Sequence, residues 1–127
     1  MKLKVSAKGI FLSDGKVLIM SDNGKWDLPG GGIEGDERVQ DALRRELLEE
    51  TGLTDFSIGE VVHVDEWFIE KLDLHVVAIF YRCEISGQPQ PKQLSDEHTE
   101  FAWIVPADLK NYDVTPDTTR ALEALGL

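Results

Sequence analysis

From Lys2 to Ser13, apolar and polar residues alternate loosely around Val5, Ile10, Phe11 and Leu12, a period-two pattern that predicts a strand. Asp14-Gly15 offers the positive φ of a two-residue hairpin turn, and Lys16 to Ser21 reads as the returning strand. Asn23-Gly24 signals a second turn, ahead of the short apolar stretch Trp26 to Leu28. Pro29, Gly30, Gly31 and Gly32 then predict a loop with unusual backbone freedom. After Asp36, a candidate helix cap, the period changes. No Gly or Pro interrupts Glu37 to Thr51, and Gly52 stands where a helix end favours a left-handed residue. Ile58 to Ile69 and Leu72 to Ile85, rich in β-branched and aromatic residues, predict a long hairpin. Ser86 to Asp96, with Gly87, Pro89 and Pro91, predicts a surface loop, and Phe101 to Val105 a short strand. Thr115-Pro116 predicts the cap and first position of a terminal helix. Strands around one central helix predict a mixed α/β layered fold, in a single domain spanning residues 1–127.

The central helix carries acid on its apolar side. With Val39 as origin and ~100° per residue, Leu43 falls near 40°, Leu47 near 80° and Ala42 near −60°. Glu46 falls at roughly −20° and Glu50 at roughly 20°, in the middle of that stripe, with Glu49 flanking it at about −80°. A solvated charged face would set these groups opposite the leucines. Carboxylates that face inward are costly unless paired or metal-bound, and several that converge repel one another. A hard divalent cation such as Mg²⁺ or Mn²⁺, which favours oxygen ligands, resolves both problems. Arg44 and Arg45 can neutralise part of the charge, and Arg45 is four residues before Glu49, a helical pairing distance. The Leu28-Pro29-Gly30-Gly31-Gly32 segment just before the helix can approach a ligand closely and leave a carbonyl free for a metal.

Charge narrows the partners. Lys and Arg total 13 against 24 Asp and Glu, a net charge of −11, so this surface repels nucleic-acid backbones and anionic membranes. A small phosphate-bearing substrate remains compatible if a cation lies between. The 42% hydrophobic content is enough to pack a core and argues against a disordered chain. A single cysteine, Cys83, excludes an intrachain disulfide and fits a reducing, cytoplasmic setting. Leu74 to Tyr81, the longest uncharged apolar run, is too short to span a membrane, and Lys8 breaks any signal-peptide core.

One pattern gathers these features. Gly31, five residues, Glu37, seven residues, then Arg45-Glu46-Leu47-Leu48-Glu49-Glu50-Thr51-Gly52-Leu53 resembles a complete Nudix box, and Trp26-Asp27-Leu28-Pro29-Gly30-Gly31 resembles its usual lead-in. The resemblance implies a Nudix-type α/β/α sandwich with a mixed, largely antiparallel sheet. It implies a hydrolase that cleaves a pyrophosphate bond in a nucleoside diphosphate linked to another group, by water attack at phosphorus. On this resemblance Glu46, Glu49 and Glu50 ligate divalent metal, with the Gly30 carbonyl and a downstream glutamate as further ligands. Glu97 is preferred for that last place over Glu100, and either acid can instead be an ordinary loop residue. Arg45 is expected to orient the glutamates, Glu37 to support them from the helix start, and Glu46 or Glu49 to take the water proton. The resemblance further implies Mg²⁺, with Mn²⁺ as a substitute, and a homodimer.

The box specifies a reaction and leaves the substrate open. Relatives specific for ADP-ribose often carry a proline at a position that falls near Ile69 here, and dinucleoside-polyphosphate relatives a tyrosine. This chain has neither, since no proline occurs between Pro29 and Pro89 and Ile69-Glu70-Lys71 contains no tyrosine. The expectation is a nucleoside triphosphate, including oxidised ones. ADP-ribose, a nucleotide sugar or an RNA 5′ end are alternative substrates, and a nucleotide-sensing module without turnover is an alternative of another class. Lys8, Trp67 and Glu100 are candidate substrate contacts. Lys4 and Lys8 each read more readily as solvated surface, Trp26 as core or sheet edge, and Trp67 stays open between core and base stacking. Trp103 and Cys83 are expected in the core, and His63, His75 and His98 lack metal-ligand spacing.

Overall fold

The first strand organises the sheet because both of its edges are used. The structure, a computed structural model, describes residues 1–91 and 100–127, so Glu97 and His98 lie outside the described residues. Strand β1 (Lys2–Ser13) pairs in parallel with β6 (Leu74–Ile85), from Lys2–Leu74 to Leu12–Glu84. That occupies one edge of β1. The other edge is shared: β2 (Lys16–Asp22) takes only Leu12 and Ser13, and β4 (Gly30–Gly32) takes Ser6, Ala7 and Lys8. Beyond the Asp14-Gly15 turn, β2 instead pairs with β3 (Lys25–Asp27) and with β7 (Glu100–Ile104). Strand β5 (Phe56–Ile69) is antiparallel to β6 across a short 3₁₀ turn, Glu70–Leu72.

The alternation of β1 sends its side chains to opposite faces, each covered by one helix. Ala7 and Phe11 join Leu18, Tyr81 and Cys83 beneath Leu43 and Leu47 of helix α1 (Val39–Thr51). Ile10 joins Val17, Ile19, Ala78 and Phe80 beneath Ala121 and Leu122 of helix α2 (Pro116–Ala124). This is the expected sandwich, with a mixed sheet in which β1–β6 is the parallel strand pair. Thr115 is the cap of α2 and Pro116 follows at its start, as the sequence predicts.

Three local expectations are corrected. The glycine segment 30–32 is a strand, because β1 offers it the edge that β2 leaves. Helix α1 begins at Val39, not at Glu37, and its N-cap is Arg38 with no side-chain hydrogen bond, so Asp36 does not cap it. Glu37 is drawn away by Arg45, to which it is bonded. Arg44 does not reach the acids: its Nη1 donates to the Phe56 carbonyl at 3.1 Å, and its guanidinium lies 4.9 Å from the centre of the Phe56 ring. Gly52 ends α1 as predicted, at φ 75°, donating its amide to the Leu48 carbonyl.

Leu47 is fully buried between α1 and the sheet. Leu47→Ala is expected to cost about 2–5 kcal/mol, read as a lower urea midpoint with an unchanged slope.

Candidate active site

The phases of α1 survive in the fold. Glu50 is 3% exposed, and the Glu46 side chain is 18% exposed against 58% for Glu49. Glu50 Oε1 accepts a hydrogen bond from the Gly30 amide at 3.0 Å. Glu46 lies under the next residue: a Cβ on Gly31 would stand 2.5 Å from the Glu46 carboxyl carbon. At Gly30 the chain has φ 137°, and a Cβ would collide with the backbone of Ala7 and Lys8. Consecutive glycines therefore let β4 lie between β1 and the acids of α1, where any side chain would separate them.

Arg45 holds the cluster together. Its Nη2 and Nε donate to the two oxygens of Glu37 at 2.7 and 3.1 Å, a forked pairing. Nη1 donates to Glu46 at 3.1 Å and to Glu49 at 3.3 Å, and Nη2 also donates to the Gly32 carbonyl at 2.9 Å. Glu37 accepts the Glu34 amide as well, and the Arg45 guanidinium together with that amide holds its carboxyl below the usual range. The same partners, Glu37 first, raise the Arg45 pKa, so it stays charged.

Glu46 behaves oppositely. Burial and the neighbouring Glu50 charge push its carboxyl up, and Arg45 only partly offsets them. The cluster thus holds more negative charge than its own cation cancels. Among the described residues, no three acid, histidine or cysteine side chains are drawn together as a ready-made metal cage. Arg45 draws on Glu46 and Glu49, and the Gly30 amide holds Glu50. An all-oxygen donor set with surplus charge nonetheless fits a hard dication.

On the other face of the sheet, the expectation of a solvated Lys8 is corrected. Its side chain is 13% exposed, and its Nζ donates to Asp27 Oδ2 at 3.3 Å and to the Leu28 carbonyl at 3.2 Å. Burial alone would lower its pKa, but the Asp27, Glu50 and Asp117 charges raise it, so it is an ammonium. Lys8 lies opposite Gly30 in the β1–β4 register, so the segment from Asp27 to Gly30 links this ammonium to the acids of α1. Lys8 and Asp27 line a cavity of about 340 Å³ together with Trp67, Thr115, Pro116, Asp117 and Arg120. Trp67 is thereby placed at a cavity wall. Trp26 packs edge-on against Tyr112, with ring centres 5.1 Å apart, and Trp103 is half-buried with its Nε1 donating to the Pro89 carbonyl. Cys83 is fully buried. His63 and His75 bond to Asp65 and Glu66. Exposed Lys4 lies beside Gly32, and Glu100 is exposed at the start of β7.

The sequence reading missed Asp27, Asp65, Asp117 and Arg120. Asp27 was visible within the lead-in, and Asp117 as an acid in the first turn of a proline-started helix; Asp65 and Arg120 carry no local signal. Asp65 Oδ2 accepts from Arg120 Nε at 2.6 Å and bonds to His63 Nε2 at 3.1 Å. Burial pushes its carboxyl up, but Arg120, His63 and the Glu66 amide outweigh this and hold it below the usual range.

Known proteins share this fold. The family model described as NUDIX domain matches residues 3–125. The nucleoside triphosphatase NudI of Escherichia coli (strain SE11) is 30% identical over 112 residues, covering 82% of this chain and 78% of that protein. The solution structure of the E. coli ORF135 protein superposes with a TM-score of 0.77 at 28% identity, over 99% of this chain and 90% of the other. The MutT NUDIX hydrolase of Burkholderia pseudomallei superposes with a TM-score of 0.81 at 26% identity, over 98% and 99%.

Gly30→Ala is expected to cost about 1–3 kcal/mol for its backbone conformation alone. Gly31→Ala is expected to cost less, because it meets only a carboxylate that can swing aside; thermal melts of the two variants check the order. A depressed carboxyl pKa stabilises the fold fully above the ordinary Asp value of about 3.9 and loses that contribution as pH falls through the folded value. Asp65→Asn lacks the contribution at every pH. Its stability gap from wild type in urea is expected to close as pH drops below about 4.

Proposed function

This chain belongs to the Nudix hydrolase family, enzymes that hydrolyse nucleotide anhydrides, and on that premise we propose that it cleaves a pyrophosphate bond of a nucleoside triphosphate. The observation that carries this reading is the junction at Gly30. There a buried carboxylate, Glu50, and a buried ammonium, Lys8, meet opposite sides of one glycine strand, so an anionic phosphate chain and a nucleoside can be held by adjoining sites.

In this reading Glu46, Glu49, Glu50 and the Gly30 carbonyl hold the divalent ion, Mg²⁺ or Mn²⁺. When bound, that ion offsets the charge shared by protein and substrate and makes a water easier to deprotonate. Glu46 or Glu49 accepts a proton from the attacking water while its oxygen bonds to phosphorus and the anhydride P–O bond breaks. Arg45 keeps both acids in reach through its bonds to Glu46 and Glu49, and Glu37 fixes the far side of its guanidinium. Lys8 and Asp27 form the floor of the cavity and Trp67 a wall on which a base can stack. A volume of about 340 Å³ suits one nucleoside. Support for a triphosphate comes from the relative described as a nucleoside triphosphatase and from the missing ADP-ribose and dinucleoside markers. A cytoplasmic setting suits Cys83, whose thiol burial pushes up to about 12 and so leaves unreactive.

A panel of common and oxidised nucleoside triphosphates, ADP-ribose, nucleotide sugars and dinucleoside polyphosphates tests this reading, scored by the phosphate product. Turnover is expected to be greatest with a triphosphate and to vanish with chelator. Glu50→Gln keeps an oxygen for the Gly30 amide and so preserves the fold. Both it and Glu49→Gln are expected to lower kcat by about 10²–10⁴-fold. Equal rates for wild type and Glu50→Gln would refute the site. Tight binding without turnover across the panel would instead identify a nucleotide-sensing module.

A further inference from the structure

The cavity assigned to the nucleoside lies between α2 and the sheet, and the chain ties these two layers together on either side of it. On one side the Trp26 amide donates to the Asp113 carbonyl at 2.8 Å, and the Thr115 amide donates to the Trp26 carbonyl at 2.9 Å. These bonds pin the start of α2 to β3. On the other side Arg120 Nε donates to Asp65 Oδ2 at 2.6 Å, joining the middle of α2 to β5. Among the described residues this is the one ion pair between α2 and β5.

The position of this second tie is informative. Asp65 precedes Trp67 by two residues on β5, hence on the same face of the sheet. Arg120 follows Asp117 by three residues on α2, hence on the same side of the helix. One partner therefore shares a strand with one cavity wall, and the other, itself part of the lining, shares a helix with the opposite wall. The Asp65 side chain is 12% exposed, and both oxygens are used, Oδ2 by Arg120 and His63 and Oδ1 by the Glu66 amide. It is not part of the cavity lining. Its acid is spent within the protein.

We infer that Asp65 is a positioning residue for substrate selection: through Arg120 it sets the gap between Trp67 and Asp117, and with that gap the discrimination among nucleobases. This rests on the reading of the cavity as the nucleoside site. Stacking on Trp67 decays steeply with separation, since a radial gap of about 0.5–1 Å forfeits a quarter to a half of a dispersion contact. The Asp117 carboxylate, 8% exposed and facing the same cavity, accepts hydrogen bonds only from base edges that present donors at bonding distance. A loosened α2 weakens both contacts. The acids of α1 are on the other face of the sheet and keep their geometry.

The test measures kcat and KM of the purified full chain for the four common ribonucleoside triphosphates with saturating Mg²⁺. Wild type is compared with Asp65→Ala, Asp65→Asn, Arg120→Met and the Asp65→Ala/Arg120→Met double variant, with thermal melts recorded alongside. For Asp65→Ala, KM for the preferred triphosphate is expected to rise about 10- to 100-fold, with kcat little changed. The ratio of kcat/KM between the best and worst base is expected to fall toward one. Asp65→Asn keeps an acceptor for Arg120, recovers part of the discrimination, and carries the test if the alanine variant does not fold. The double variant is expected to be no worse than the worse single, because both remove the same contact. An equal loss of kcat/KM for all four bases, multiplying effects in the double variant, or a wild type that does not discriminate among bases would overturn the inference. A folded wild type that turns over neither the four nor their oxidised forms would instead refute the triphosphate reading.

Discussion

Like charges have to be brought together here, and a run of glycines makes that geometry available. Glu50 is almost wholly buried, accepts the Gly30 amide, and lies in the same cluster as Glu46, whose carboxyl burial and Glu50 push toward its neutral form. A single carboxylate in such a place is expensive and two are more so. The arrangement persists because α1 is packed through Leu43 and Leu47 on one face of the sheet, which keeps Glu50 and most of Glu46 buried while Glu49 reaches solvent. Gly30 and Gly31 let the strand that faces them approach within a distance no side chain would permit. The packing of the core thus holds this electrostatic tension in place.

Arg45 shows how that tension is distributed. One guanidinium serves Glu37, Glu46, Glu49 and the Gly32 carbonyl. Its planar fork can do this where a lysine ammonium would not. Glu37 takes the shortest of these bonds, and Glu46 and Glu49 receive longer ones. Glu37 leaves the helix start to do so, which explains why α1 begins two residues later than its sequence suggests.

Across the sheet, charge is used differently. Lys8 pairs with Asp27, and Arg120 with Asp65, so the cavity between them is walled by groups whose charges are mostly answered within the protein. Such a pocket suits an uncharged group, while on the α1 side Glu46 and Glu49 share the one guanidinium of Arg45. Only the glycine strand separates the two environments. A nucleotide has the same division, an aromatic base at one end and anionic phosphates at the other.

Much of this was legible in the residues. The 3.6-residue period placed Glu46 and Glu50 among the leucines, the Nudix-like spacing named the cluster, and hairpin turns and helix ends followed from Asp14-Gly15, Gly52 and Thr115-Pro116. These are short-range properties, set by backbone preference and side-chain periodicity over a few positions. The strand character of Gly30 to Gly32, the burial of Lys8, the diversion of Arg44 to Phe56 and the Asp65–Arg120 tie were not legible. Each depends on which distant segment occupies an open edge or a facing wall. Local sequence determined that acids would point inward from one helix; only the tertiary structure decided what they point toward, because a hydrogen bond or ion pair between distant residues exists only once the sheet has brought its strands into register.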